Sequence, residues 1–437
     1  MENLVWNRLS RFSEIKHYYI AFSGGLDSCV LLHCMARLRE QSFVTSITAL
    51  HVHHGLSDDA NDWDRHCQSL CEQLDIPYRL LKVNALAKNG EGPEAAARNA
   101  RYLALADFIQ ANDALLTAHH QNDQAETLLL QLMRGSGVSG LAAMPESCCF
   151  SKGLMIRPLL GVTREQLSTY ATQHNLDWVE DTSNLDTRFD RNYLRHEIVP
   201  RLQARWPGTL KNVARSARHM ADADALIDEL ATIDLKQCEQ AFQLSIPALK
   251  QLSEARQRNV LRFWLKRQSL SVPTDSQMKH ILNDVMNARE DANPCVKWAE
   301  VEIRRHRNKL YAMKTLPCHD NSQQLAWDLS ASLLITGSGL LSVRSYNDKG
   351  LDASLFNTED LSVRFRQGGE RLIPAGRHHH HELKALLQEA NVPLWLRDRI
   401  PLLYLHDNLI AVANVCVCEG WQAKAGEPGL SLEWSPE

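Results

Sequence analysis

Six residues near the start of the chain, Ser23-Gly24-Gly25-Leu26-Asp27-Ser28, limit the fold more than any other segment does. They lie between a run typical of a buried strand, Tyr18 to Phe22, and a helical pattern over Ser28 to Glu40. Two glycines let the backbone approach a ligand closely, and the amides that open a helix attract an anion. We therefore predict that the nucleotide-binding residues include Ser23, Gly24, Gly25, Leu26, Asp27 and Ser28.

Asp27 is the residue of this loop that would repel a bare phosphate, because its carboxylate is negative. A divalent cation that bridges the phosphates removes the conflict, so we predict that Asp27 holds Mg²⁺ beside ATP. From spacing alone, a glycine turn with a solvated aspartate is the alternative. A Walker loop is excluded because the chain has no Gly-x-x-x-x-Gly-Lys-Ser/Thr. The run Gly135 to Gly140 matches a dinucleotide fingerprint, but it follows a helical pattern, so we predict a helix end there.

Strand-like and helix-like segments alternate over the first 215 residues. The strand-like runs are Tyr18 to Phe22, Ser46 to Val52, Tyr78 to Val83 and Ala114 to Ala118. The helical patterns between them are Ser28 to Glu40, Ala60 to Leu74 and Glu94 to Gln110. This alternation predicts an α/β fold in which helices cover a parallel sheet.

The chain has 437 residues, which is more than one hydrophobic core usually serves, so we predict three domains. Their predicted bounds are 1–215 for the α/β domain, 216–318 for a mainly helical middle domain and 319–437 for a small α+β C-terminal domain. The middle domain has helical patterns at Ala221 to Leu230, Ser253 to Gln268 and Ser276 to Ala288, before a hairpin around Ile303 to Met313. The last domain has strand-like Leu361 to Phe365 and Leu409 to Val417 around a helix at Glu382 to Ala390.

The amino-acid composition is that of a globular protein, and its cysteines suit a reducing compartment. Apolar residues make up 44% and charged residues 23% of the chain, which excludes a disordered or fibrous class. The 11 cysteines are an odd number without a disulfide-like spacing, and Met1 to Arg8 lacks the pattern of a secretory signal. No apolar run reaches the roughly 18 residues of a membrane span. We therefore expect a cytoplasmic protein with no membrane association.

Two acidic residues, Asp123 and Glu126, stand three apart at the start of a helical pattern. Both carboxylates lie on one face of the first turn, where they could share a cation or receive an amine. Ordinary helix capping explains the same spacing, and the pattern leaves both interpretations open.

Histidines also follow strand-like runs at His53, His54, His119 and His120. Zinc needs three or four ligands at defined spacing, so we predict polar pocket walls instead, with His53 lining the nucleotide pocket. For the internal run His378 to His381 we predict a polar or RNA-facing turn.

Basic residues concentrate in three segments although the formal net charge is only −4. Arg188 to Arg218 holds eight Lys and Arg residues against Asp190 and Glu197, a local net charge of +6. The others are Arg256 to Arg267 and Arg304 to Lys309. Solvated helix faces are the alternative for any one segment, but three such segments favour a nucleic-acid partner.

Several further segments are similar, in sequence and in order, to those of one known family. They are Leu50 to Leu56, Glu94 to Tyr102, Ala118 to Thr127, Arg134 to Gly137, Arg157 to Leu160, Glu180 to Asn184, Asp190 to Arg195 and, near the end, Pro393 to Arg399. Together with the glycine loop, they resemble the tRNA(Ile)-lysidine synthases, a family within the PP-loop ATP pyrophosphatase superfamily.

The resemblance implies a PP-loop catalytic domain followed by tRNA-binding domains. It implies a ligase that joins free L-lysine to the wobble cytidine of the CAU anticodon of isoleucine tRNA, through an adenylated cytidine, with release of pyrophosphate and AMP. ATP and Mg²⁺ are the implied cofactors, and a homodimer is left open. The implied catalytic residues are Asp27, Asp123, Glu126, Arg191 and Arg195, with the two arginines as cations for phosphate or the intermediate.

Two rival functions share parts of this pattern. An RNA thiolase of the same superfamily would need sulfur-carrying cysteines, and the chain has no Cys-x-x-Cys. A tRNA-binding protein without turnover would not need the three acids Asp27, Asp123 and Glu126. Base deamination is excluded because Pro294-Cys295 lacks the second cysteine of the zinc signature.

Overall fold

The computed structural model describes residues 1–44, 46–53, 60–83, 93–180, 182–289, 292–347, 350–356, 358–424 and 426–436. Of the predicted pocket residues, His54 lies outside them, as do Gly55, Leu56 and Asp181 of the resembling segments. The chain divides into two compact units, Met1–Ile227 and Asp228–Glu437. The three domain bounds given above remain a prediction.

The first unit has the alternating order that the sequence predicts. Its strands are β1 His17–Ala21, β2 Ile47–His53, β3 Tyr78–Lys82, β4 Asp113–Leu116, β5 Ser147–Phe150 and β6 Gly153–Ile156. Its helices are α1 Glu2–Leu9, α2 Leu26–Glu40, α3 Ala60–Gln73, α4 Pro93–Ala106, α5 Gln121–Met133, α6 Val138–Leu141, α7 Arg164–Gln173, α8 Asp190–Tyr193, α9 Val199–Arg205 and α10 Thr209–Cys238, the last of which ends beyond residue 227.

Over the described residues the sheet of this unit has the order β3-β2-β1-β4-β6-β5. The first five pair in parallel, with Ile20 opposite both Ala49 and Leu116, whereas β5 pairs antiparallel with β6. The predicted parallel α/β fold is therefore confirmed. The antiparallel edge hairpin was not predicted, because its runs are only four residues long and are linked by a two-residue turn.

Helices cover both faces of the sheet because its strands are apolar on both sides. In β1, Tyr18 and Ile20 pack into one core with α2 and α7, while Tyr19 and Ala21 pack on the opposite face with Leu105 of α4. This is the two-sided burial expected of a parallel sheet, and each fully buried Leu or Ile stabilises it by roughly 1.5–3 kcal/mol. The sheet is thus a rigid base for the loops at its edge.

Gly135 ends α5, as predicted. Its φ is +68°, a left-handed conformation that glycine adopts without strain, and it follows the helix cap at Arg134. The fingerprint-like run Gly135 to Gly140 is therefore a helix terminus that leads into the short α6.

The second unit contains two separate hydrophobic cores, one built from Leu235 to Leu310 and one from Trp327 to Trp434. The elements of the first are β7 Glu239–Gln240, β8 Gln243–Ser245, α11 Ile246–Gln251, α12 Glu254–Arg267, α13 Asp275–His280, β9 Cys295–Trp298, β10 Val301–His306 and β11 Lys309–Lys314. Those of the second are β12 Leu325–Ala326, β13 Leu333–Ile335, β14 Gly339–Asn347, β15 Leu361–Arg364, β16 Arg371–Leu372, β17 His381–Glu382, α14 Leu383–Glu389, β18 Leu402–Leu405, β19 Asn408–Val412, β20 Cys416–Val417 and β21 Pro428–Pro436.

Most predicted elements of this unit are present, with two differences. The helical pattern at Ala221 to Leu230 is part of the longer α10, and the run Leu409 to Val417 is divided into β19 and β20. The division falls at Asn414, whose φ of +58° turns the chain between the two strands. Among the described residues, no helix is both long and apolar enough to span a membrane.

Candidate active site

The glycine loop lies where the strand order of the sheet reverses. β1 has β2 on one side and β4 on the other, so successive connections of the chain turn to opposite sides of β1. In open α/β sheets a ligand binds at such a point, in the crevice outside the carboxyl ends of the strands. Ser23 to Ser28 follows β1 and Thr117 to His120 follows β4, so these two loops border the crevice.

Short hydrogen bonds fix the shape of the glycine loop. The Ser28 hydroxyl donates to the Gly25 carbonyl at 2.9 Å and lies 3.1 Å from the Ser23 hydroxyl. The Val179 amide donates to the Gly24 carbonyl at 2.9 Å, which anchors the loop from outside. Gly25 caps α2, so the amides of the next residues open the helix and have no carbonyl one turn earlier to bind. Amides at such a helix start can bind an anion, so the geometry is compatible with the phosphate site, which stays a prediction.

Gly24 is the residue of this loop that no other amino acid replaces without strain. Its φ is +81°, and a Cβ placed on it would lie 2.7 Å from the Cys67 sulfur. Gly25, in contrast, has an ordinary φ of −78°, and a Cβ there would come no closer than 3.6 Å to the Ser23 hydroxyl. The first glycine therefore serves the backbone conformation, and the second leaves space at the helix start.

Gly24→Ala is expected to destabilise the protein by about 1–2 kcal/mol from the left-handed conformation alone, with the Cys67 overlap added to it. Gly25→Ala, the matched control, should stay within about 0.5 kcal/mol of the parent. Urea unfolding of both variants measures the difference. Cys67→Ala in the Gly24→Ala background should recover only the overlap, and full recovery would show that the backbone conformation carries no cost.

The two oxygens of Asp27 have different surroundings. Oδ2 lies 3.4 Å from His120 Nε2, whereas Oδ1 is buried without a hydrogen-bond partner among the described residues. An unpaired buried carboxylate oxygen costs free energy unless a ligand binds it, and oxygen is the ligand that Mg²⁺ prefers. The residues present therefore fit Mg²⁺. Since the described residues hold no group of three or more His, Cys, Asp and Glu placed for a metal, phosphate and water would complete its coordination.

His120 connects the glycine loop to the acidic pair. It is 1% exposed and caps α5, with its amide donating to Asp123 Oδ2 at 2.9 Å while its Nε2 faces Asp27. Burial alone would lower the pKa of His120, but the hydrogen bond to Asp27 and the charges of Asp123 and Asp27 outweigh it and raise the pKa. Asp27 and Asp123 therefore both contact one buried histidine, Asp27 through its imidazole and Asp123 through its backbone amide.

Asp123 and Glu126 form a buried ionic cluster with two arginines. Glu126 accepts from Arg191 Nε at 2.8 Å and from Arg195 Nε at 2.7 Å. Asp123 Oδ1 accepts from Arg191 Nη2 at 2.9 Å and from Arg195 Nη2 at 3.2 Å. Glu126 is 1% and Asp123 7% exposed. The acids therefore lie on one face of α5, as their spacing indicates, and both already hold guanidinium groups.

The charges of this cluster balance, with two carboxylates against two guanidinium groups. Burial would raise the pKa of Asp123, but the charges of His120 and Arg191 lower it below its usual range. Asp123 is consequently an ion-pair partner at neutral pH and a poor proton acceptor. An ammonium group that replaced one guanidinium would leave the balance unchanged.

His53 and His119 lie at the carboxyl ends of β2 and β4, the two strands on either side of β1. His53 is the last residue of β2, the strand beside β1, and is half-buried. His119 follows β4, and its Nδ1 lies 2.8 Å from the Thr117 hydroxyl. Burial, helped by the charges of Arg157 and Arg191 and opposed by that of Asp123, lowers the pKa of His119 to about 4. It is therefore neutral at physiological pH, and its place in a polar pocket wall stays a prediction.

The cysteines near the loop are packing residues. Cys67 and Cys71 are fully buried, and burial raises the pKa of each thiol to about 12. A sulfur carrier needs an accessible thiolate with a lowered pKa, so these residues do not suit the thiolase alternative. The same holds for Cys416 and Cys418, where burial raises the pKa to about 11 and about 12.

In two of the three basic segments, Arg256 to Arg267 and Arg304 to Lys309, the arginines bind groups of the chain itself. In Arg256 to Arg267, four arginines pair with acids, namely Arg256 with Asp234, Arg258 with Glu254, Arg262 with Asp275 and Arg267 with Glu239. In the third segment, Arg304 pairs with Glu302, and Arg305 donates to backbone carbonyls of Met286, Ala288 and Arg307. These arginines contact acids or backbone carbonyls of the same chain. A count of charged residues along the sequence cannot indicate such contacts.

Family models match three parts of the chain. A model described as "PP-loop domain" matches residues 2–202, one described as "TilS substrate binding domain" matches 244–311, and one described as "TilS substrate C-terminal domain" matches 361–434. The matched ranges agree with the α/β unit and with the two cores of the second unit.

Curated relatives match over nearly the whole length. A tRNA(Ile)-lysidine synthase from Coxiella burnetii is 46% identical over 429 residues, covering 98% of this chain and 95% of the relative. Another from Methylococcus capsulatus is 39% identical and covers 96% of each. Among solved structures, a U34-tRNA thiolase from Methanococcus maripaludis matches 51% of this chain and 77% of its own, with 17% identity and a TM-score of 0.42. At that score the likeness supports no statement about this chain.

Proposed function

The chain belongs to the tRNA(Ile)-lysidine synthase family and is an ATP-dependent ligase that forms lysidine on tRNA(Ile), and we propose that the crevice between the glycine loop and the acid–arginine cluster carries the reaction. The observation that supports this most directly is the contact series from Asp27 through His120 to Asp123. It joins a phosphate-binding loop to a site for a cationic substrate at the place where the strand order reverses.

In the first step, the carbonyl oxygen of the wobble cytosine in the CAU anticodon attacks the α-phosphorus of ATP. The bond to the β-phosphate oxygen breaks and pyrophosphate leaves, so a poor leaving group on the ring becomes an adenylate. The amides that open α2 and the hydroxyls of Ser23 and Ser28 hold the phosphates and stabilise the charge that develops on them. Mg²⁺, held by Asp27, would supply further positive charge at these phosphates.

In the second step, the ε-amine of free L-lysine attacks the ring carbon that bears the adenylate, and AMP leaves with the former carbonyl oxygen. The ammonium form of lysine first binds Asp123 and Glu126 in place of one guanidinium group. Because Asp123 keeps a low pKa, it holds the ammonium without accepting its proton, and the ammonium loses that proton to solvent water before the amine attacks. The displaced Arg191 or Arg195 is then available to pair with phosphate or with the adenylate.

Lysine incorporation tests this proposal. The protein is incubated with ATP, labelled lysine and a transcript of isoleucine tRNA with a CAU anticodon, and label in RNA and pyrophosphate are measured together. We expect one pyrophosphate for each lysine incorporated, and far less label with a methionine tRNA transcript or with labelled arginine. Pyrophosphate release without label in RNA, or label from any amino acid, would contradict the proposed second substrate.

A homodimer and a cytoplasmic location remain predictions.

A further inference from the structure

A second pocket in the first unit, of about 360 Å³, lies on the other side of α5 from the acidic pair. It is lined by Gln121 and Gln124, which point away from Asp123 and Glu126 because residues at those positions face opposite sides of a helix. The start of α10 forms another wall. The pocket is therefore separate from the nucleotide crevice.

Three cations of α10 line this pocket. Lys211, Arg215 and Arg218 are four and three residues apart, so they form one stripe along the helix, and all three are exposed. Within the described parts of the chain none of them pairs with a carboxylate, and Arg215 donates only to the Asn212 side chain at 2.9 Å. The stripe ends at Asp222, one turn beyond Arg218.

These three differ from most other cations of the basic segment Arg188 to Arg218, with Arg205 as the exception, since it too has no acidic partner among the described residues. Arg188 pairs with Asp186, Arg201 pairs with Glu197, and Arg191 and Arg195 are held in the buried cluster. Most of the positive charge in this segment that has no acidic partner therefore lies at the start of α10. A local charge without an acidic partner is the electrostatic mark of a polyanion surface.

The opposite wall of the pocket adds positive charge. Arg8 Nε lies 3.1 Å from Glu146 Oε1 and its Nη1 donates to the Pro158 carbonyl at 2.9 Å, while Arg11 Nη1 reaches Glu146 Oε2 at 3.4 Å. Glu146 is the one acidic residue among the described residues that line the pocket, and its carboxylate pairs with both Arg8 and Arg11. The pocket as a whole therefore repels anions little and attracts them from both walls.

Resting on the proposed function, we propose that this pocket binds backbone phosphates of the tRNA, away from the nucleotide that is modified. Phosphate contacts fix the register of an RNA on a protein without reading its sequence. A site on the far side of α5 would hold the RNA while the wobble nucleotide enters the crevice. ATP is not the occupant, because its phosphates have their own loop after β1.

The test is the salt dependence of tRNA binding by a triple variant, Lys211→Gln/Arg215→Gln/Arg218→Gln. Affinity for tRNA falls as salt concentration rises, and loss of three phosphate contacts should make this fall less steep. The slope of log affinity against log salt concentration should decrease in magnitude by about 2–3. It should weaken binding on the order of 100-fold at 0.1 M salt, with convergence on the parent at high salt. In turnover, KM for tRNA should rise while kcat stays near that of the parent, because the catalytic residues are untouched.

The matched control is Arg37→Gln/Arg65→Gln/Arg201→Gln, which removes the same charge from arginines paired with Glu40, Asp62 and Glu197. Its slope should change by less than about 1. The charge-preserving Lys211→Arg/Arg215→Lys/Arg218→Lys should keep the parent slope, which would show that the three charges, and not the particular side chains, set it.

The outcomes separate this inference from the proposed function. A triple variant with the parent's affinity and slope, while the parent forms lysidine, would overturn the pocket and leave the function intact. A triple variant that lost kcat at unchanged KM would also overturn it. If the parent neither retained tRNA nor incorporated lysine, the function itself would fail and the pocket with it.

Discussion

Asp27→Ala is expected to reduce ATP-dependent pyrophosphate release by at least about 10²- to 10³-fold while tRNA retention changes by no more than about twofold. Asp27 Oδ1 is buried without a partner among the described residues, which makes it the candidate ligand for the proposed Mg²⁺. Removing it leaves the phosphates without that charge, whereas no RNA contact is lost. Quenched-flow pyrophosphate assays and filter retention of tRNA measure the two effects on one preparation.

Two further variants define the cause of this loss. Asp27→Asn keeps an oxygen that can accept from His120 but lacks the charge, so it should lose nearly as much activity as Asp27→Ala while its urea midpoint stays close to the parent. Asp62→Ala removes an exposed acid of the same unit, whose side chain is 66% exposed, and should change neither readout. Equal loss of pyrophosphate release and tRNA retention in Asp27→Ala would mean that the residue supports the fold.

The part of the fold that followed from the sequence is the part set by local patterns. β1 to β4 and α2 to α4 begin and end within a few residues of their predicted bounds, because short apolar runs and helical periodicity determine them. The β5–β6 hairpin, with strands of four residues, was missed because such runs carry little pattern. The paired β14 and β21 were also missed, since the pairing of Leu341 with Trp434 joins residues far apart in sequence.

The site divides in the same way. The glycine loop was predictable because a strand, two glycines and a helix follow one another directly in the chain. The contacts of Arg191 and Arg195 with Glu126 were not, because they span 65 and 69 residues and α5 and α8 meet only in the fold. His120 as the link between Asp27 and Asp123 was also missed. Its position between the end of β4 and the start of α5 was the signal that could have identified it.

Glu126→Gln is expected to lower the free energy of unfolding by about 3–5 kcal/mol, because it leaves two largely buried guanidinium groups against one carboxylate. Glu126 accepts three hydrogen bonds from these arginines at 2.7–3.0 Å. A neutral amide offers one oxygen and presents its own N–H groups to the remaining donor. Urea unfolding measures the loss, and the exposed pair Glu197–Arg201 is the control, since Glu197→Gln should cost less than about 1 kcal/mol.

The double variant Glu126→Gln/Arg195→Gln distinguishes a structural cluster from a substrate site. Removing one acid and one base together restores the charge balance, so the coupling between the two substitutions should return about 1–3 kcal/mol of stability. If Glu126 receives the lysine ammonium, the recovered protein still fails to incorporate lysine at low lysine concentration. Its adenylation step, measured as pyrophosphate release, is affected far less. Recovery of lysine incorporation together with stability would instead show that the four charges only hold α5 against the segment Asp190 to Arg195.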